Sequence, residues 1–540
     1  MDMDLIITNG RIVDGTGNPW FRGDIGIKDG KIAEMGRIRQ QDCTKLNAEG
    51  LVVSPGFIDA HSHTDMVLHL DPMTQSTIRQ GITTMVVGNC GISLAPVSAM
   101  YKSLLENSLS QFMPRGAAID LPWRTFREYM KHEGDQKKAS NIAHLVGHGT
   151  IRTAIMGYEN RSPTAEELGQ MEGLVAEAMD AGAVGLSSGL IYPPGMFAES
   201  QELIALARIS AGRGGVYTSH MRGEAGTLIE ALGEALRIGE VAHVPVQISH
   251  HKALGKSNWG ETIKTLAMIR EARIRGVDVT LDQYPYEAGM TSLATLLPPW
   301  AHEGGLRTLL ERLRSPEARK RMVQDIETGL PGWVSHAREC GYENIIVSSL
   351  TTEANRGLEG KNLFEIAEAR KTKDVTTALL DLLLEENGQA TMILFCMGED
   401  DIRRVMTDEN QMVGTDSWSV APSGIMASGK PHPRFYGTYP RILGHYVRET
   451  HVLRLEQAVR KMTSFPAQRF QLRMRGLLAP GYWADIVVFD PVTIVDRATY
   501  QNPHQYPEGI RYVLVNGQIV IRGNEDTGAL PGRSLSRELE

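Results

Sequence analysis

Short apolar runs that alternate with helical segments between residues 56 and 475 constrain this chain of 540 residues more than any other feature. The runs 142–146 and 184–186, for example, are separated by a helical segment over 164–181. Parallel strands need a long crossover between them, and a helix is the usual one. The alternation therefore predicts an α/β fold with a parallel sheet.

Ten runs in this part of the chain are candidate strands, whereas a TIM-like (β/α)8 barrel needs eight. They are 57–59, 84–87, 142–146, 184–186, 215–217, 245–248, 277–280, 345–347, 392–395 and 412–414. At least two must therefore lie outside the barrel or be wrong. We assign an inserted subdomain late in the barrel to about 289–342, where a proline-rich turn precedes a charged helix. This insertion could be a lid over the site or a plain surface excursion.

The two ends of the chain share a different pattern, in which short apolar runs alternate with glycine turns. It fills residues 1–55 and returns over 476–540, where Asn516-Gly517 indicates a tight hairpin. No Gly-, Ser- or Pro-rich linker separates either end from the middle. We therefore predict one small β-sandwich domain built from both ends and packed against a barrel over 56–475.

The charge balance argues against nucleic acid as a partner. The chain has 56 Lys and Arg against 64 Asp and Glu, a net charge of -8, whereas phosphate binding draws on clustered cations. No apolar run approaches the roughly 18 residues of a membrane span, and the start does not resemble a signal peptide. Four scattered cysteines are too few for a disulfide framework. We expect a cytoplasmic protein with reduced cysteines and no membrane partner.

Candidate metal ligands begin at His61 and His63, which directly follow the apolar run 57–59. Residues two apart on a strand point to the same side, so both imidazoles can face one metal ion. Four other candidate strands also end on a possible ligand or acid/base group: Cys90, His220, His250 and Asp416. Barrel enzymes collect catalytic groups from strand ends at one face. Because five strand ends carry such groups, we predict a metal-dependent active site at that face of the barrel.

These residues, together with the chain ends, resemble the amidohydrolase superfamily, and specifically its D-aminoacylase (N-acyl-D-amino-acid deacylase) branch. The resemblance covers nearly the whole chain. Its markers are 7–17, 55–63, 88–91, 219–222, 249–252, 431–434 with 436–438, 480–485 and 503–507. Each marker alone is weak, and their order along the chain is specific.

The resemblance implies a zinc site in the barrel. It assigns two sets of ligands: Cys90, His220 and His250 to a tightly held ion, and His61, His63 and Asp416 to a second, weaker position. Many members bridge two metals with a carboxylated lysine on the fourth strand, but 184–189 contains no lysine. Cys90 in the bridging place fits the deacylase branch, and the number of ions stays open.

The substrate of that branch carries a free α-carboxylate, which favours Arg or Lys with tyrosine hydroxyls. The resemblance points to Lys252 and Arg434, supported by Tyr192 and Tyr284. At one point the chain departs from the branch, because Asp416 is followed by Ser417-Trp418-Ser419 and a long loop to residue 431, where a glycine usually follows the aspartate. We expect this loop to reshape the substrate pocket.

The resulting prediction is zinc-dependent hydrolysis of N-acyl-D-amino acids, small-molecule substrates, to a carboxylate and a free D-amino acid. Asp416 is the predicted general base and acid, which takes a proton from the attacking water and delivers it to the departing nitrogen. The D stereochemistry rests on the resemblance alone. Alternatives are a dipeptidase-like or cyclic-amide hydrolase of the same superfamily, and a non-catalytic scaffold. The missing lysine disfavours the cyclic-amide reading, and the complete ligand set disfavours the scaffold.

Overall fold

The computed structural model describes residues 2–40 and 42–536. Strands β1 to β21 are Leu5–Ile12, Phe21–Lys28, Lys31–Gly36, Thr44–Asn47, Val52–Pro55, Phe57–Asp59, Ile82–Val87, Asn141–Gly147, Gly185–Gly189, Val216–His220, Val246–Ile248, Val279–Gln283, Ala288–Ser292, Ile345–Ser349, Thr391–Phe395, Gln411–Val413, Ile486–Phe489, Ile510–Val515, Gln518–Arg522, Glu525–Asp526 and Ser534–Leu535. Helices α1 to α17 are Gln75–Ile78, Lys102–Ser110, Phe126–Asp135, His148–Met156, Ala165–Asp180, Ser200–Gly212, Leu228–Ala242, Thr262–Ile274, Leu306–Arg314, Pro316–Thr328, His336–Cys340, Leu363–Arg370, Val375–Glu385, Glu399–Thr407, Arg434–Arg441, Leu455–Met462 and Ser464–Arg469. Within the described ranges, no helix is both long and apolar enough to cross a membrane.

The central part of the molecule is a parallel barrel of eight strands, β6 to β12 followed by β16, each paired with the next. Strands such as β7 and β8 are buried along their whole length, as expected where helices cover a parallel sheet. The first and last strands nearly close the ring, since Ala60 N donates to Val413 O at 3.2 Å and Asp416 N donates to His61 O at 2.8 Å. The predicted α/β fold with a TIM-like barrel is confirmed.

Two of the ten candidate strands lie outside the barrel. β14 and β15 run antiparallel in a separate three-stranded sheet, β13–β15–β14, between β12 and β16. Short apolar runs look the same in the sequence whichever sheet takes them, so their periodicity could not separate them from barrel strands. This sheet reaches Phe395, beyond residue 342 where the predicted insertion ends.

Strands from both ends of the chain meet in one sheet. β17 pairs antiparallel with β5, which joins the N-terminal strands to the C-terminal ones in a single nine-stranded sheet. Its apolar side chains pack into a shared core that includes Ile7, Ile25 and Ile486. The arrangement of this sheet as a two-layered sandwich, and the domain boundaries after residues 55 and 475, stay predictions.

A disulfide joins Cys340, the last residue of α11, to Cys396, which follows β15. This differs from the expectation that all four cysteines are reduced. The two residues are 56 positions apart, and no short spacing in the sequence pairs them. Cys43 and Cys90 are free. The expected cytoplasmic location stays a prediction.

Candidate metal centre

The predicted ligands meet at the carboxyl ends of the barrel strands, with Cys90 in the middle. Its Sγ lies 3.3 Å from His61 Nε2 and 3.6 Å from both His220 Nδ1 and His250 Nε2. His220 Nδ1 and His250 Nε2 are 2.8 Å apart. Four donor atoms from four different strand ends therefore converge on one point.

Asp416 completes this cluster from the last barrel strand. Its Oδ1 lies 3.5 Å from His61 Nε2 and 3.4 Å from His63 Nε2. One ligand atom from each of His61, Cys90, His250 and Asp416 lies within 4.8 Å of the others. A thiolate, imidazoles and a carboxylate at such separations are the donors that zinc takes in proteins, so the residues fit a zinc site.

Three of these ligands have left-handed backbone conformations, with φ of 54° at Cys90, 35° at His250 and 50° at Asp416. Each lies two or three residues beyond the end of a barrel strand. A residue with a Cβ loses roughly 1–2 kcal/mol in this region. Strain of this kind concentrates at functional sites, and here it turns the side chains towards one another. Gly189 makes room, because a Cβ there would lie 2.0 Å from Cys90 O.

Two buried carboxylates that the sequence analysis missed fix the backbone of the ligands. Asp282 accepts the N–H of His250 at 2.8 Å and lies 3.4 Å from His61 Nδ1. Asp59 accepts the N–H of His61 at 3.1 Å and that of Thr415 at 2.8 Å. Both aspartates lie at or next to the end of a barrel strand, so the rule that found the ligands applies equally to them.

Glu224, also missed, lies against the outer side of two ligand histidines. Its Oε1 is 3.1 Å from His250 Nδ1, and its Oε2 is 3.8 Å from His220 Nε2. The inner nitrogens of both rings are therefore left facing Cys90, the arrangement by which a carboxylate orients a ligating histidine. Lys252 Nζ pairs with Glu224 at 2.5 Å and lies 2.7 Å from His250 Nδ1.

The other predicted carboxylate contacts surround the same space. Arg434 is buried, and its Nη1 lies 2.9 Å from Asp416 Oδ2. Its guanidinium stacks 4.6 Å above the ring of Tyr284. The ring of Tyr192 packs edge-on against His220, with centroids 5.0 Å apart. Arg434, Tyr192 and Asp416 line a cavity beside the cluster, with about 380 Å³ of empty space including its opening to solvent.

The electrostatics of the cluster favour the ionised forms of its thiol and carboxyl groups. Burial raises the pKa of Cys90, but His61, His220 and His250 outweigh it and hold that pKa well below its usual value. Burial likewise raises the pKa of Asp416, while Arg434 and the histidines bring it well below the ordinary range. Thiolate is the form of cysteine that binds metal.

Two further histidines near the strand ends lie outside the cluster. His251 donates or accepts at Thr265 Oγ1, 2.8 Å from its Nε2, on the opposite side from its neighbour His250. His148 Nε2 lies 2.8 Å from Glu202 Oε1 in a separate buried ion-pair group. The contact with Thr265 turns the ring of His251 away from the cluster that His250 joins.

Known proteins with similar sequences and structures identify the family of this chain. The amidohydrolase family model matches residues 45–521. An N-acyl-D-glutamate deacylase of Alcaligenes xylosoxydans xylosoxydans is 38% identical over 537 residues, covering 99% of this chain and 97% of the relative, and a D-aminoacylase of that organism is 37% identical over 541 residues, covering 99% and 98%. The solved N-acyl-D-glutamate deacylase of Bordetella bronchiseptica, complexed with zinc and a phosphonate inhibitor that mimics the tetrahedral intermediate, is 36% identical with a TM-score of 0.82, covering 99% of this chain and 100% of that one. This chain belongs to the amidohydrolase family, in the branch of the D-aminoacylases and N-acyl-D-amino-acid deacylases.

Proposed function

We propose that this protein is a zinc-dependent hydrolase that cleaves the amide bond of N-acyl-D-amino acids to a carboxylate and a free D-amino acid. The observation that carries the proposal is the buried Cys90 sulfur, with three imidazole nitrogens within 3.6 Å and Asp416 facing the same space. Relatives that match almost their whole length to this chain are named for the same chemistry.

We assign the ligands as the resemblance implies: Cys90, His220 and His250 would hold a tightly bound zinc ion, and His61, His63 and Asp416 a second, weaker one. Zinc bound there supplies Lewis-acid activation of a water molecule and of the amide carbonyl. Glu224 and Asp282 keep His250 in place, the first through its ring nitrogen Nδ1 and the second through its backbone N–H.

Asp416 moves the proton. Its depressed pKa keeps the carboxylate ionised at neutral pH, so it accepts a proton as the water oxygen bonds to the amide carbon. Asp416 then gives this proton to the departing nitrogen as the carbon–nitrogen bond breaks, which leaves a carboxylic acid and an amine. Arg434 Nη1, 2.9 Å from Oδ2, holds the carboxylate in orientation while Oδ1 faces His61 and His63.

The α-carboxylate of the substrate is held by Arg434 and Lys252 with the hydroxyls of Tyr192 and Tyr284. Arg434 Nε is buried and has no hydrogen-bond partner among the described residues, so a donor stands ready for an acceptor that arrives with the substrate. Lys252 already pairs with Glu224. Its positive charge therefore attracts the substrate carboxylate mainly at a distance, rather than through a direct hydrogen bond.

The test is amine release from matched N-acetyl-D- and N-acetyl-L-amino acids, dipeptides and a cyclic amide by the zinc-loaded protein. We expect turnover of N-acetyl-D-amino acids and zinc in the purified protein. A clear preference for L substrates would overturn the stereochemistry, and faster hydrolysis of dipeptides or the cyclic amide would favour those alternatives. Protein that binds no zinc and hydrolyses none of these compounds would favour the scaffold.

A further inference from the structure

Two cavities adjoin the metal centre, and Gln111 lies where their linings meet. One, with about 880 Å³ of empty space including its opening to solvent, shares Ile92 and Tyr192 with the space beside the metal ligands, and we call it the Tyr192 cavity. The other, with about 410 Å³ of empty space including its opening to solvent, we call the Trp418 cavity. Four residues line both it and the metal-centre space: Phe112, Met290, Thr391 and Trp418.

We propose that the Trp418 cavity is an acyl subsite, which receives an apolar acyl chain longer than acetyl, and that Phe112, Trp418 and Met426 determine the length accepted. The proposal rests on the proposed hydrolysis of N-acyl-D-amino acids and adds the identity of the acyl group. It makes this chain a deacylase of medium-chain N-acyl compounds.

The chemistry of the substrate assigns the two cavities. The α-carboxylate and the amino-acid side chain share one carbon, so both lie on the nitrogen side of the scissile bond. Tyr192, one of the proposed carboxylate contacts, borders the Tyr192 cavity. The side chain of the amino acid therefore extends into that cavity, and the acyl chain, across the scissile bond, extends into the Trp418 cavity.

An aromatic wall leads from a metal ligand into the Trp418 cavity. The ring of Phe112 stacks on that of His63, with centroids 6.2 Å apart and planes at 11°. Trp418 packs edge-on against Phe112 at 5.5 Å and 80°. A chain that leaves a carbonyl at the metal centre can follow these two apolar rings without leaving contact with them.

The lining of the Trp418 cavity carries no charge. Its apolar members include Met290, Val420 and Met426, and its polar members are uncharged side chains such as Ser348 and Thr391. No Asp, Glu, Lys or Arg stands among the described residues that line it. A charged acyl group would lose its hydration there without a partner, so the lining selects an apolar chain.

Three segments build the Trp418 cavity: the loop 417–431, residues 111–114 and the strands β13 to β15. The loop is tied to the molecule at both halves, since Val420 N donates to Ser76 Oγ at 3.0 Å and Arg115 N donates to Ser428 Oγ at 3.1 Å. These hydrogen bonds hold the loop in place before substrate binds. Binding of the acyl chain then loses less free energy to the ordering of the loop.

The experiment measures kcat/KM for N-acetyl, N-butyryl and N-hexanoyl derivatives of one D-amino acid. Burial of a methylene corresponds to at most about a fourfold gain, so the wild type should gain several-fold from acetyl to butyryl and more to hexanoyl. Met426→Trp fills the cavity and should lower the hexanoyl value at least about tenfold relative to acetyl, by the same reckoning. Leu306→Trp, in the Tyr192 cavity, is the matched control and should leave the acyl-length profile unchanged.

Two further measurements protect the test against a variant that fails to fold. Zinc content and thermal stability are compared for each variant, and Trp418→Ala, which enlarges the cavity, should shift the preferred acyl chain to greater length. Inhibition by the product acids gives a readout of binding alone, and hexanoate should inhibit the wild type more strongly than acetate.

The outcomes separate this inference from the proposed function. An enzyme that releases D-amino acids at rates independent of acyl length overturns the subsite and leaves the hydrolase intact. If Leu306→Trp changed the acyl-length profile and Met426→Trp did not, the acyl chain would bind in the Tyr192 cavity. That result would also overturn the proposed acyl subsite. Absence of amine release from every N-acyl-D-amino acid overturns both.

Discussion

Replacing Asp416 by Asn separates proton transfer from metal binding. The asparagine keeps the shape of the side chain but cannot accept a proton, and a positioned general base contributes about 10²–10⁴-fold to rate. The tightly held zinc should stay, because Cys90, His220 and His250 are untouched. The change also leaves Arg434, which is 2% exposed, without its carboxylate partner. Removing one partner of a buried pair costs about 3–5 kcal/mol, and since the Asn oxygen still accepts from Arg434 we expect the lower end.

The assay combines kcat for an N-acyl-D-amino acid, zinc per chain after dialysis, and denaturant unfolding. Glu202→Gln is the matched control, because it breaks a buried ion pair with Arg152 in which neither residue is a proposed metal ligand or substrate contact, and it should destabilise at least as much while turnover is retained. Turnover of Asp416→Asn within tenfold of the wild type would refute the acid/base role. Loss of all zinc from the variant would refute the division of the ligands into a tight and a weaker set.

Three further predictions test the centre and its supports. Cys90→Ala removes the atom that all three imidazoles face, so zinc retained after dialysis should fall far below that of the wild type, and full retention by elemental analysis would contradict the ligand assignment. A chelator should abolish hydrolysis and zinc should restore it, while circular dichroism stays unchanged; activity that persists without metal would contradict a zinc mechanism. Burial raises the pKa of Asp59 to about 7, against the hydrogen bonds from Thr415 and His61, whereas the unfolded value is about 3.9. The folded state therefore binds the proton more tightly, and the stability of the wild type relative to Asp59→Asn should decline as pH rises from about 4 to about 7 and level off above. Denaturant unfolding at several pH values checks this, and a rise over that interval would contradict it.

The sequence predicts the barrel well because eight buried strands alternate with helices over a long stretch, and this alternation is a property of the local sequence. It could not separate β14 and β15 from barrel strands, since their pairing partners lie far away in the chain. The pairing of Cys340 with Cys396 was missed for a similar reason. Which sheet takes a strand, and which cysteines meet, is decided by tertiary packing.

The candidate ligands could be predicted because the carboxyl ends of all barrel strands lie at the same face of the barrel. The rule that a polar residue ending an apolar strand faces the mouth led to His61, Cys90 and Asp416, which the structure brings together. The same rule gives no order of importance, so Asp59 and Asp282, in equivalent places, were passed over. Glu224 lies on a connection after its strand, where no periodicity fixes the direction of a side chain, and only the structure reveals its contact with His250.

The strain at the ligands explains why the supporting carboxylates are placed where they are. A left-handed His250 costs free energy whether or not zinc is bound, so an interaction within the protein must hold it. Asp282 accepts the N–H of that residue, and Asp59 accepts the N–H of Thr415, directly before the left-handed Asp416. These hydrogen bonds are made by side chains anchored in the barrel strands and need no metal. The ligand geometry is therefore set by the fold in advance of zinc, which is the reason a chelator should remove activity while the secondary structure remains.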